Sequence, residues 1–125
     1  MTMLAAADRV QETATNISSS PVVLQGAAGI GLQTFAQGGL DGEIVPYTIE
    51  HETSGQWEVG SGLYTALTKT LLRTTVYDSS SGGLVDFNDG IVDVWVDLPA
   101  EKAAMLDADS NALHLPGTLT AAGLI

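Results

Sequence analysis

"GIVDVWVDLP", Gly90 to Pro99, is the clearest strand in the sequence. Val92, Val94, Val96 and Leu98 recur at period two, with Asp93, Trp95 and Asp97 between them. In an extended chain that pattern puts the aliphatic side chains on one face and the carboxylates with an indole on the other. Such a strand belongs to a sheet with one face on a core and the other in water.

Working outward, "QWEVGSG" (56–62) and "LYTALTKTLLRTTVYDSSSGG" (63–83) are bounded by Gly, Ser, Asp or Asn and are dense in β-branched and aromatic residues. With 90–99 they read as a meander. "GEIVPYTIEH" (42–51) is a further strand, and Pro46, which removes a ladder donor, points to an edge or a bulge. "ADRVQETAT" (7–15) alternates as a half-exposed strand, and "SSSPVVLQG" (18–26) reads as a turn with a short strand. "GAAGIGLQTFAQGGLDG" (26–42) is so broken by glycine that only "GLQTFA" is suited to regular pairing. "PAEKAAMLD", Pro99 to Asp107, is the one helix-like piece, too short to stand alone and so a connector. There is no internal repeat, which disfavours a solenoid. The expected architecture is all-β: a small antiparallel β-sandwich or barrel of about seven to nine short strands, with a short helical connector. Residues 1–106 form the globular domain and 107–125 an extended C-terminal segment.

The totals narrow the function. A chain of 125 residues suits one domain. Hydrophobic residues make up 45 % of it, with only two Trp, three Tyr and two Phe, so the core is built mainly from Val, Leu, Ile and Ala. Fifteen carboxylates oppose four basic residues, Arg9, Lys69, Arg73 and Lys102, for a formal charge of −11, which repels nucleic acid and anionic membrane surfaces. No apolar run approaches membrane-spanning length, and the opening Met3–Ala7 is too short for a signal peptide. The absence of cysteine excludes disulfides and thiolate zinc sites.

Motifs that would carry chemistry fall short. Asp107, Asp109 and Asn111 match the first, third and fifth places of a calcium loop, but the sixth is Ala112 and the twelfth Thr118, where Gly and a bidentate Glu are needed. An Asx-rich turn explains them better. "GAAGIG" (26–31) reverses the dinucleotide-binding spacing and reads as a glycine-rich surface loop. His51 and His114 form no metal pair, and the serines cluster in turns rather than in any nucleophile motif. Glu50 and Glu52 flank His51 on one side of a strand; an exposed acidic edge accounts for them, as for Asp93 and Asp97. "NIS" at Asn16 matches a glycosylation sequon without a secretory context. Trp57 and Trp95 are packing residues suited to a subunit contact, ahead of a carbohydrate platform. No catalytic, cofactor-binding or metal residue is expected.

The ordered series "DRVQET" (8–13), "TFA" (34–36), "PYTIE" (46–50), "WEVGSGLYT" (57–65), "LLRTTV" (71–76), "SSSGG" (79–83), "VDF" (85–87) and "DVWVDLPAEKA" (93–103) resembles a recurring domain of tailed-bacteriophage virion proteins. That domain is often found at the N-terminal end of tail-fibre or spike chains, and also in small structural proteins. The resemblance spans about residues 7–115. One departure is "ALTK" (66–69), where relatives place a Gly-containing turn. The family carries no catalytic residues. In its fibre chains, sequence like "LPAEKA" leads through a turn into strand-like sequence that begins an oligomeric shaft.

The C-terminal sequence fits that implication. After Asp109 it carries no Asp, Glu, Lys or Arg. Leu113, Leu115, Leu119, Leu124 and Ile125 cannot hide one another in a short extended tail, and an isolated strand is not stable in water. The expected interface is therefore these five residues with Trp57 and Trp95. The expected function is a non-enzymatic component of a bacteriophage virion, a tail-fibre or spike attachment domain assembling as a homotrimer with other virion proteins. A capsid decoration protein is the alternative, and a small glycan-binding or glycan-hydrolysing module comes third. The expected location is the virion, assembled in the host cytoplasm, with no nucleic-acid partner and no membrane insertion.

Overall fold

The computed structural model describes residues 3–15, 17, 18, 20–100, 105, 106, 113 and 114. They form nine strands: β1 (Gln11–Thr15), β2 (Val22–Val23), β3 (Ile44–His51), β4 (Trp57–Thr65), β5 (Thr70–Leu71), β6 (Thr75–Ser79), β7 (Ile91–Val96), β8 (Met105–Leu106) and β9 (Leu113–His114). The fold is all-β, an antiparallel sheet curled into a half-barrel. Its order is β1-β7-β3-β4-β5-β2, with β6 also paired to β4. β8 and β9 pair with each other as a separate two-stranded sheet.

β7 lies between β1 and β3. Its alternation holds: Val92 and Val94 are fully buried, and Val96 packs against the core. Each buried Val contributes about 1.5–3 kcal/mol relative to exposure, and a one-residue slip would send the whole row outward. Leu98 departs from the stripe at 50 % exposed, because the strand ends at Val96.

Several expectations need correction. The three C-terminal pieces do not form a meander: β6 lies against β4, whereas β7 crosses to the far side of β3. The spatial order β7-β3-β4-β6 is a Greek key with β5 inserted, and it gives the most apolar strand neighbours on both sides. β3 is interior, not an edge. It tolerates Pro46 because the register with β7 ends at Tyr47↔Val96. Pro46 O accepts Asp97 N at 3.2 Å, so its missing N–H costs only one bond of the last rung. "QWEVGSG" and "LYT" are one strand rather than two, running through Gly60 and Gly62. "GLQTFA" pairs only at Gln33, which bridges Val10; residues 34–39 make successive turns, with Gly38 N to Thr34 O and Gly39 N to Ala36 O, and these hold Phe35 fully buried against Tyr64, ring centroids 5.3 Å apart. No α-helix occurs among the described residues; Ala100, at the start of the expected connector, has a 3-10 conformation. Of the expected helical connector, Met105 and Leu106 are extended in β8, where they gain ladder partners, while 101–104 and 107 lie outside the described residues.

The edges of the half-barrel are bridged by one segment. Leu24 N bonds Lys69 O beside β5, and the chain then shifts to β1, with Gln25 N to Thr13 O, Thr13 N to Gly26 O and Ala28 N to Gln11 O. The outer edge of β1 is thereby covered. At the β4–β5 turn, Lys69 N bonds Ala66 O, and Lys69 itself adopts the left-handed conformation at φ 57°, a backbone region that favours glycine.

Candidate functional site

β4 presents different chemistry on its two sides. Inward, Glu58 is fully buried and forms an ion pair with Arg73, whose side chain is also fully buried. Arg73 Nη2 donates to Glu58 Oε1 at 2.6 Å and Nε to Oε2 at 2.9 Å. Tyr47 Oη donates to Oε2 at 2.6 Å, and Val85 N to Oε1 at 2.9 Å. Arg73 Nη2 also bonds Val85 O, and its guanidinium lies 5.6 Å from the Phe87 ring centroid. Only Nη1 of this arginine lacks a partner. Burial pushes the Glu58 carboxyl upward, but hydrogen bonds from Arg73, Tyr47 and Val85, together with the Arg73 charge, hold it below the ordinary value. Burial, then the hydrogen bond to Glu58, pushes the Tyr47 phenol above its ordinary value.

Gly60 makes the arrangement possible. A Cβ there would meet Tyr47 Oη at 2.6 Å as well as the Thr75 carbonyl. The network is sealed from solvent and, apart from Arg73 Nη1, engaged throughout, so it fastens β3, β4 and the 73–87 segment together; it offers no approach to a substrate. Sequence reading missed it. The available signal was the position of Glu58, in phase with Gly60, Gly62 and Tyr64 on the inward side of β4.

Two other buried polar groups are also fasteners. Glu12, 3 % exposed, accepts N–H bonds from Gly26 at 3.0 Å and Phe35 at 2.8 Å, which ties the glycine-rich segment to β1. The amides of Gly26 and Ala28 are thus engaged within the protein rather than gathered for an anion. His51 is buried; its Nδ1 accepts from Thr53 N at 3.2 Å and Ser54 N at 3.0 Å, leaving Nε2–H to donate to Asp89 O at 3.1 Å. These bonds shape the β3–β4 turn. Glu50 and Glu52 are exposed, but not on a sheet edge: β3 and β7 are interior strands, so Glu50 and Asp93 lie on the sheet face.

Outward, cross-strand registers arrange the sheet surface in rows. Trp57 stands opposite Glu50, which stands opposite Asp93. The next row runs Val59, Thr48, Trp95 and Gln11. The two tryptophans therefore share the outer face, diagonal across β3, and both are half-buried. Beyond them Ser61 faces Pro46, and Tyr77 Oη lies 3.0 Å from Ser61 Oγ. Thr48 Oγ1 donates to Asp97 Oδ2 at 3.1 Å where the chain leaves β7. Pro99 is buried, and with Ala100 it completes a pocket of about 300 Å³ lined by Trp57, Val59, Tyr77 and Asp78. Aromatic and aliphatic walls with one carboxylate suit an apolar side chain.

Of the expected interface, Trp57 and Trp95 come together on this face and Leu113 begins β9. Leu115, Leu119, Leu124 and Ile125 lie outside the described residues, as do Asp107, Asp109 and Asn111. No group of three or more His, Cys, Asp or Glu residues converges in metal-binding geometry among the described residues, and no helix of theirs is long and apolar enough to cross a membrane. Comparison with known proteins finds no matching family model, curated protein or solved structure.

Proposed function

We propose that this chain is a non-enzymatic structural component of a bacteriophage virion, an attachment domain of tail-fibre or spike type that assembles as a homotrimer. The observation that carries the assembly reading is the outer sheet face: two half-buried tryptophans set diagonally beside an apolar pocket. Large flat rings at such a position supply contact area at low entropic cost. The ordered motifs from "DRVQET" to "DVWVDLPAEKA" support the virion setting. The formal charge of −11 keeps unassembled copies apart in solution until specific contacts form.

Sedimentation of the purified chain at micromolar concentration tests the oligomer, with a trimer expected and a monomer opposing the reading. Labelling the chain in whole particles tests the location: few copies at the tail support a fibre or spike, many copies over the head support decoration instead. Glycan turnover abolished by Glu50→Gln would replace both with an enzyme.

A further inference from the structure

We propose that the pocket between Trp57, Val59, Tyr77 and Pro99 seats the charge-free C-terminal segment of a neighbouring copy, residues 113–125, so that copies are joined by exchanging their ends. This deepens the assembly reading and rests on it.

The first argument is chemical. The pocket is walled by an indole, a phenol ring, Val59, Pro99 and Ala100, with Asp78 as its one carboxylate. Glu50 and Asp93 stand beside Trp57 on the same face. An acidic surround of this kind repels acidic stretches of another copy, which carries −11 overall. Residues 113–125 contain no Asp, Glu, Lys or Arg, yet supply four leucines and an isoleucine. They bring aliphatic side chains to an apolar recess without bringing like charge.

The second argument is the path of the chain. Ala100 lines the pocket, and β8 starts at Met105, so the hairpin springs from the rim of this same face. Met105 pairs with His114, which returns the chain to the base of the hairpin before the last eleven residues. Among the described residues β8 and β9 bond only to each other and not to the seven-stranded sheet. A lone two-stranded hairpin is marginal in water. An arm that follows directly on the pocket-lining Ala100, carries apolar sequence and, in its described strands, pairs only with itself is placed to dock on the next copy, whose own arm passes onward.

The chain has no native cysteine, so single-cysteine variants report cleanly. Full-length Asp78→Cys and Leu119→Cys chains are mixed, treated with a short bis-maleimide, and compared with Leu67→Cys, which is exposed on the β4–β5 turn at the opposite end of β4 from Trp57. The expected product is a covalent pair of Asp78→Cys with Leu119→Cys, absent with Leu67→Cys. Trp57→Ala in the Asp78→Cys chain should weaken self-association at least about 30-fold, as loss of a central aromatic anchor does, and remove the cross-link. Thermal melting must show that this variant remains folded; if it does not, Val59→Ser replaces it. A trimer that forms without the cross-link overturns the arm exchange while leaving the assembly reading intact. Cross-linking only within one chain, in the doubly substituted variant, places the tail at home and also overturns the exchange. A monomer overturns both.

Discussion

The two sides of β4 both carry groups that are costly to leave alone, yet they treat them oppositely. Glu58 on the inner side receives four hydrogen bonds from Arg73, Tyr47 and Val85 and has no contact with water. Trp57, the residue before it, stays half-buried on the outer side, opposite an exposed Glu50. The hidden charge of Glu58 is neutralised within the chain. Apolar ring surface on the outside keeps capacity for a further contact. The contrast separates what folding has completed from what assembly would complete.

That contrast can be broken most forcefully at Glu58. Glu58→Ala strands a buried guanidinium and the Tyr47 hydroxyl, and should cost about 3–5 kcal/mol, the usual penalty for removing one partner of a buried pair. Urea unfolding measures it; a loss under 1 kcal/mol would mean that the inner network is dispensable. Acid tests the same carboxyl reversibly. Its folded value lies below the ordinary 4.5, so its contribution is fully present above the ordinary carboxylate range and is lost as pH falls below it toward the folded value. Tyr47→Phe removes one charge-assisted bond, expected to cost about 1.5–3 kcal/mol. Because that bond helps hold Glu58 low, the variant should also begin acid unfolding at higher pH. Circular dichroism across an acid titration, overlaid on the parent, gives the comparison, and superimposable curves would count against the coupling.

The smallest effect belongs to the outer side. Glu50 and Asp93 face each other directly across β3 and β7, and like charges in that relation destabilise. Glu50→Lys should therefore stabilise the fold by about 0.2–1 kcal/mol, with the gain shrinking in high salt. A melting temperature that drops instead would show that Glu50 has a role that its cross-strand neighbours do not reveal.

How far the sequence foretold these two sides depends on whether the cause was local. Period-two alternation marked β7 and placed Val92 and Val94 inside, because burial of a strand face leaves its imprint on every second residue. β1 was legible for the same reason. Gly60 and Gly62 misled, dividing β4 into two pieces. Their role is spatial: Gly60 admits Tyr47 and the Thr75 carbonyl, while a Cβ at Gly62 would overlap the Leu72 carbonyl. Pro46 misled because its cost depends on where β7 ends, a fact held about 50 residues away. Phe35 was assigned to a strand by composition, whereas a Glu12 carboxylate from another element draws its backbone into a turn over the core. At the outer site the sequence singled out Trp57 and Trp95, and the structure puts both on one sheet face. Their diagonal setting came from the registers of β3 with β4 and β7, which no single stretch encodes.

The position of β7 also governs the order in which this chain can be completed during synthesis. β1 leaves the ribosome early, and residues 25–28 soon follow to cover one of its flanks. Its other flank waits for residues 91–96. At about 5–20 residues per second, the interval is roughly 4–15 s. Once residues 44–51 have followed, β1 and β3 border an empty slot shaped for one specific segment, and a nascent chain stalled before Ile91 would present it to residues 91–96 of any unfolded sister molecule nearby.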